Sequence, residues 1–187
     1  MITTADKNEI VTAARTKMRE RFPDLPKRGG CLYSSYFMWM ELDRVGIQAL
    51  PQAGSMCWPR IVIGSDDDDG ECHTHFSYFW EDRNTRSIVS MLNGNLPELH
   101  VWMGIPETGE VVDIETCNFS QTCRDLGMDW LSPEPPDYLW THDPPLDVWY
   151  RPDEQAIRAA IFYMTHVIVE NKLPLPSLLQ SRLCPSL

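Results

Sequence analysis

The chain is acidic and of moderate length. It has 187 residues, 16 basic and 27 acidic side chains, a formal charge of −11 and 43% hydrophobic residues, which is typical of a single globular domain spanning residues 1–187. Nucleic acids and anionic membranes are bound through clustered Lys and Arg, so this charge argues against both as partners. The apolar stretches are far shorter than the ~20 residues of a membrane span, and the polar start lacks the apolar region of a signal peptide. We therefore expect a cytoplasmic protein.

The first quarter of the chain predicts two helices. Residues 4–21 carry an apolar stripe at helical spacing, formed by Ile10, Val11, Ala14 and Met18. After a segment that contains Pro and Gly, the stretch from Cys31 to Val45 has neither and is apolar on nearly all sides. It predicts a buried central helix with Cys31 in its first turn.

Four segments with β-forming composition follow the helices: Trp58–Ile63, His75–Trp80, Leu99–Ile105 and Glu110–Glu115. Turns or loops separate them, which favours a mainly antiparallel sheet. Residues 133–152 hold six prolines among several aromatic residues and predict an ordered strap packed over the body. Asp153–Lys172 predicts a C-terminal amphipathic helix, while 86–92 fits a short helix or a strand. The expected fold is α+β, with N-terminal helices packed on an antiparallel sheet.

Cys31 is the candidate nucleophile. A thiol at a helix N-terminus lies near unpaired backbone N–H groups and the positive end of the helix dipole, which favour the thiolate. Lys27 and Arg28 precede it and add positive charge, while Gly29 and Gly30 leave room for a substrate beside the sulfur. The alternative is that Cys31 is a small buried hydrophobic residue, and its position alone does not decide between the two.

His100 and Asp113 are the candidate base and its orienting acid. If their segments form a hairpin in which Ile105 pairs with Glu110, Asp113 lies opposite Trp102 and becomes the diagonal neighbour of His100 on one face. A carboxylate at that distance can hydrogen-bond the imidazole, fix its tautomer and stabilise its charged form. A slip of one residue would place Asp113 on the other face. The alternative is then a surface histidine and an unrelated acid at a strand end.

A metal site is not predicted. Cys72, His73 and His75 are close in sequence, but Cys72 points away from both histidines on a regular strand and no second cluster completes a zinc set. His75 is also a rival for the base, although no hairpin partner brings it an Asp. The acids Asp66–Asp69 lack the spacing of a calcium loop and predict a solvated turn. We expect no metal or cofactor, and six free thiols because the cytosol is reducing.

These residues, in this order, resemble a known family. Gly-Gly-Cys at the start of a buried helix, a His-x-Trp strand and a strand containing Val-Asp-Ile-Glu-Thr are similar to the transglutaminase-like superfamily of papain-fold cysteine enzymes, in particular to small bacterial or phage-type members. The match covers residues 25–116. The resemblance implies a papain-like fold in which Cys31 is the nucleophile, His100 the general base and acid, and Asp113 the orienting carboxylate. Arg28-Gly29-Gly30-Cys31 also resembles the active-site segment of arylamine N-acetyltransferases.

The sequence therefore predicts a cysteine-dependent hydrolase that cleaves a peptide or isopeptide bond of a peptide or protein substrate through an acyl-enzyme. An acyltransferase, transglutaminase-like or arylamine N-acetyltransferase-like, would use the same triad, because the two reactions differ only in whether water or an amine reaches the acyl-enzyme. A third interpretation is a catalytically inactive binding module that keeps the fold. The sequence does not separate the three.

Overall fold

An antiparallel sheet with flanking helices forms the protein, as seen in a computed structural model that describes residues 2–25, 30–63, 72–81 and 99–183. The helices are α1 (Thr4–Arg21), α2 (Gly30–Arg44), α3 (Phe119–Asp125), α4 (Glu154–Glu170) and α5 (Ser177–Leu183), with a 3-10 turn over Thr116–Asn118. The strands are β1 (Leu50–Ile63), β2 (Cys72–Tyr78), β3 (His100–Ile105), β4 (Glu110–Asp113), β5 (Leu139–Thr141) and β6 (Trp149–Pro152). The α+β class predicted from the sequence is confirmed.

The three long helices form where their apolar patterns predict them. A reciprocal pair of hydrogen bonds between Thr3 and Asp6 caps the start of α1, and the Asp153 side chain caps α4. Helix α2 is buried along most of its length, including Glu41, whose carboxylate is paired with Lys17 of α1 and a neighbouring arginine. Within the described ranges, no helix combines the length and the hydrophobicity needed to cross a membrane.

The central strand of the sheet is β1. Strand β1 pairs with β2, β3 and β6, β3 also pairs with β4, and β4 also pairs with β5. Gly54 of β1 pairs with His100 of β3 and with β6, while Met56 pairs with Tyr78 of β2 and with β6. A strand has only two edges, and β6 occupies one of them. Strands β3 and β2 therefore both pair with the other edge of β1, with β3 along its first half and β2 along its second half. His100 at the start of β3 is therefore the neighbour of Tyr78 at the end of β2.

Strand β1 is longer than its sequence predicts. The predicted segment Trp58–Ile63 is only its second half, and the strand begins eight residues earlier, at Leu50. The first half contains Pro51 and Gly54, which have low β-propensity, so its strand conformation depends on pairing with β3 and β6. The register shifts between Pro59 and Ile61, where an irregularity accommodates the proline.

The proline-rich strap of residues 133–152 is ordered, but parts of it belong to the sheet rather than lying over it. Strand β5 pairs with β4, and β6 pairs with β1. These two short strands were not predicted, because each is three or four residues long and is flanked by prolines or turn residues. The predicted turn at Asp66–Asp69 and the segment 86–92 lie outside the described residues.

The sheet has a hydrophobic core on each side. Val101 and Met103 of β3 pack in the larger core, together with buried side chains of α1, α2 and α4. The second core contains Met56, Trp58, Phe76, Phe119, Cys123, Trp130, Leu139 and Val148. Successive strand residues point to opposite faces, so His100 and Trp102 point away from the larger core. His100 contacts Phe119 of the second core.

Gly54→Ala should destabilise the protein more than Gly46→Ala. A Cβ at position 54 would lie 2.1 Å from the carbonyl oxygen of Arg151, so β1 and β6 would have to separate. Gly46 has a φ of +77° and open space where its Cβ would be, so alanine there costs only backbone strain, about 1 kcal/mol. For Gly54→Ala we expect a loss of about 2–4 kcal/mol in the free energy of unfolding, measured by urea denaturation. Equal losses in the two variants would contradict the close approach.

Candidate active site

The structure places Cys31 in the first turn of α2. It follows Gly30, the first residue of the helix, and is 8% exposed. Backbone N–H groups in a first helical turn have no partner within the helix, so they and the helix dipole favour a negative charge there. Lys27, Arg28 and Gly29, which precede Cys31 in the sequence, lie outside the described residues.

His100 and Asp113 come together across β3 and β4. Ile105 pairs with Glu110, which is the register on which their predicted proximity depends. Nε2 of His100 lies 2.7 Å from Oδ2 of Asp113, and each side chain is 1% exposed. The two groups therefore form a buried hydrogen bond between an imidazole and a carboxylate.

Three hydrogen bonds hold the Asp113 carboxylate. Oδ2 accepts one from Nε2 of His100 and a second from the hydroxyl of Tyr150, which lies 2.8 Å away. Oδ1 accepts the backbone N–H of Glu115 over 2.9 Å. Both oxygens are occupied, so the plane of the carboxylate and its position relative to the imidazole are fixed.

The surroundings of His100 favour its protonated form. Burial alone would lower the pKa of this imidazole, but the charge of Asp113 and the hydrogen bond to it raise the pKa to about 10. The nearby Cys31 side chain acts in the same direction. Nε2 is occupied by Asp113, while Nδ1 is buried and has no partner of regular hydrogen-bond geometry in the described part of the chain. Nδ1 is therefore the ring nitrogen that is left for the thiol.

Aromatic rings surround His100. Tyr78 stacks on it with ring centroids 5.3 Å apart, and Trp102 stacks at 6.1 Å. These two residues precede and follow His100 along the edge of β1, so the three rings stand in a row. Phe119 and Tyr150 contact the same ring, with centroid distances of 5.4 and 6.3 Å. This packing excludes water, which strengthens the interaction between His100 and the carboxylate.

Two residues of the site were not predicted. Tyr150 lies 37 positions after Asp113 in the chain, and no local pattern connects the two. Glu115 is 7% exposed, and a Cβ on Gly30 would lie 3.4 Å from its carboxylate, so this acid borders the start of α2. Burial raises the pKa of Glu115. Glu115 was part of the predicted strand Glu110–Glu115, but β4 ends at Asp113, so strand alternation could not give its position.

The other candidate residues do not join this site. The rival base His75 is exposed on β2, opposite Pro59. Desolvation raises the pKa of three further thiols, Cys57, Cys117 and Cys123. The described side chains include no group of three His, Cys, Asp or Glu that could hold a metal ion. The side chains of Cys72 and His73 are not among those described.

Comparison of the chain with protein-family models, curated proteins and solved structures finds no match in any of the three. A thiol, an imidazole and a carboxylate in this order are the groups that an activated cysteine nucleophile requires.

His100 should contribute stability that is lost as the pH rises. Its pKa is about 10 in the folded protein against an ordinary value of 6.5, so the folded state keeps a proton that the unfolded state releases between these values. The contribution is full below pH 6.5 and is lost as the pH rises through about 10. We expect the difference in free energy of unfolding between wild type and His100→Gln, measured by urea denaturation, to shrink across this interval. The exposed control His142→Gln should show no such trend, and a constant difference for His100→Gln would contradict the buried charge.

Proposed function

We propose that the protein is a cysteine-dependent hydrolase of the transglutaminase-like type, which cleaves a peptide or isopeptide bond with Cys31, His100 and Asp113. The observation that carries the proposal is that only one of the two ring nitrogens of His100 is bound to Asp113. Nε2 lies 2.7 Å from Asp113, which leaves Nδ1 for the thiol. A protonated imidazole beside a cysteine at a helix N-terminus stabilises the thiolate, which is the nucleophilic form. This arrangement supports the roles of nucleophile, general base and orienting acid.

The proposed reaction begins when the Cys31 thiolate attacks the carbonyl carbon of the amide, with the backbone N–H of Cys31 as one donor to the developing oxyanion. His100 transfers the proton on Nδ1 to the leaving nitrogen, the C–N bond breaks, and the amine departs to leave a thioester on Cys31. Neutral His100 then accepts a proton from a water molecule as its oxygen attacks the thioester. The tetrahedral intermediate formed by this attack then collapses, which releases the carboxylic acid and restores the thiolate and the imidazolium. Asp113 keeps Nε2 protonated throughout and stabilises the imidazolium.

A papain-like fold is part of the same proposal. Cysteine, histidine and aspartate follow one another in the chain, on the first turn of α2 and on the adjacent antiparallel strands β3 and β4. This is the order and placement that the transglutaminase-like resemblance implies. The proposed substrate is a peptide or protein, because the reaction needs an amide carbonyl and the sequence resembles enzymes that act on amide groups of proteins.

Acyl transfer to an amine is the second candidate, and the low exposure of the site favours it. Cys31 is 8% exposed and His100 is 1% exposed, so bulk water has little access to a thioester formed here. Where water is excluded, an amine bound next to the thioester competes better as the acceptor. The two candidates share every step up to the acyl-enzyme.

Iodoacetamide near neutral pH should alkylate Cys31 faster than Cys117. Cys117 is exposed, so the reagent reaches it more easily, but desolvation raises its pKa. At Cys31 the helix N-terminus and the protonated His100 favour the thiolate, so Cys31 should react faster. We expect Cys31 to react at least about tenfold faster, because the thiolate and not the thiol is the nucleophile. Peptide mass spectrometry reads both rates. His100→Ala should abolish the preference, and the exposed control His142→Ala should keep it. Equal labelling of all accessible cysteines would contradict the enzyme and favour the inactive module.

Turnover of a peptide and isopeptide library should separate hydrolysis from transfer. Wild type should yield acid products that Cys31→Ala does not, because the thiolate is the nucleophile in both reactions. A primary amine added to the mixture should yield new amides of the same acyl groups only if transfer operates. Mass spectrometry distinguishes the two products and detects an acyl group on Cys31. A library that gives neither product nor acylated Cys31 would count against both reactions.

A further inference from the structure

We propose that Tyr150 is a positioning residue for the reaction, because its hydroxyl holds the Asp113 carboxylate, and through it the His100 ring, in the reactive orientation. The inference rests on the proposed function, since it assigns a role in the chemistry of Cys31. It concerns a residue of β6, which lies beyond the 25–116 segment that carries the family resemblance.

Tyr150 and His100 donate to the same oxygen atom. The phenol oxygen lies 2.8 Å and the imidazole Nε2 lies 2.7 Å from Oδ2 of Asp113. Both distances are those of charge-assisted hydrogen bonds. The other oxygen, Oδ1, accepts the backbone N–H of Glu115. A carboxylate held in this way cannot rotate about its Cβ–Cγ bond without breaking hydrogen bonds on both oxygens.

The sheet sets the position of Tyr150. Tyr150 pairs with Met56 of β1, two residues away from Gly54, which pairs with His100. The backbones of β1 and β6 approach so closely at Gly54 that a Cβ there would lie 2.1 Å from the carbonyl oxygen of Arg151. Tyr150 and His100 therefore each have a position fixed by pairing with β1. Strand pairing therefore brings the backbones of Tyr150 and His100 close together, and the two side chains meet at Asp113.

The ring of Tyr150 makes contacts that do not depend on its hydroxyl. It packs edge-on against Trp102 with a centroid distance of 5.1 Å and contacts His100 at 6.3 Å. Tyr150→Phe keeps these ring contacts and removes only the hydrogen bond to Asp113. The substitution therefore tests the hydrogen bond of the hydroxyl and leaves the packing of Tyr150 against the second core in place.

The experiment compares the pH profile of Cys31 alkylation by iodoacetamide in wild type, Tyr150→Phe and the control Tyr138→Phe. The Tyr138 hydroxyl also belongs to the strap, but it donates to Asn8 of α1 over 2.6 Å. Tyr150→Phe should slow alkylation at neutral pH by about 3–10-fold, the change expected for one net hydrogen bond. It should also move the profile to higher pH and leave the limiting rate at high pH unchanged. Tyr138→Phe should follow the wild type, because its hydroxyl has no part in holding Asp113.

A double-mutant cycle with Asp113→Asn separates positioning from general loss of stability. If Tyr150 acts through Asp113, Tyr150→Phe changes the profile of the wild type and has no further effect on Asp113→Asn. Thermal unfolding of each variant reports on the fold. Should Tyr150→Phe fail to fold, 3-fluorotyrosine at position 150 alone keeps the ring and makes the hydroxyl a stronger donor. An altered profile in that protein then supports the coupling.

Three results would overturn the role of Tyr150. The first is a Tyr150→Phe profile identical to that of wild type, and the second is an effect of equal size in the Asp113→Asn background. The third is an unchanged profile with 3-fluorotyrosine. If instead wild-type Cys31 shows no selective alkylation, the proposed function itself fails. The failure of the positioning role and the failure of the enzyme are therefore distinguishable.

Discussion

The buried hydrogen bond between His100 and Asp113 is the interaction on which the rest of the site depends. Two ionisable groups removed from water are costly to bury, and they are stable only when each satisfies the other and their remaining polar atoms find partners. The site meets this requirement for Asp113 with donors from three places in the chain. On the ring, Nε2 is satisfied by the carboxylate, while Nδ1 has no partner of regular hydrogen-bond geometry among the described residues. Loss of either partner would leave a charge buried without compensation, so β3 and β4 are held to one register.

The strand hairpin shows why part of the site could be predicted from sequence. The alternation of a strand, together with turn residues between Ile105 and Glu110, determines which side chains share a face, and both signals are local. The same holds for Cys31, because a stretch free of Gly and Pro after a Gly-Gly pair indicates a helix start wherever it docks. Local rules therefore brought a base and an acid together, and placed a thiol at a helix end.

The rest of the fold and of the site depends on contacts between distant parts of the chain. The first half of β1 has little strand propensity of its own and is a strand because β3 and β6 pair with it. Strands β5 and β6 are too short to leave a pattern, so Tyr150 could not be connected to Asp113 before the sheet was known. The approach of Cys31 to His100 is likewise a result of docking α2 onto the sheet, which no spacing in the sequence encodes.

The row of rings formed by Tyr78, His100 and Trp102 has a consequence for how a proton can travel. With an aromatic ring over each face of the imidazole, the only open directions lie in the plane of the ring, toward the nitrogens. One nitrogen is committed to the carboxylate. A proton can therefore enter or leave the ring only at the other nitrogen, Nδ1, because the stacked aromatic rings cover both faces of the imidazole. The flanking π faces also attract a cation, so they stabilise the charged form of the ring.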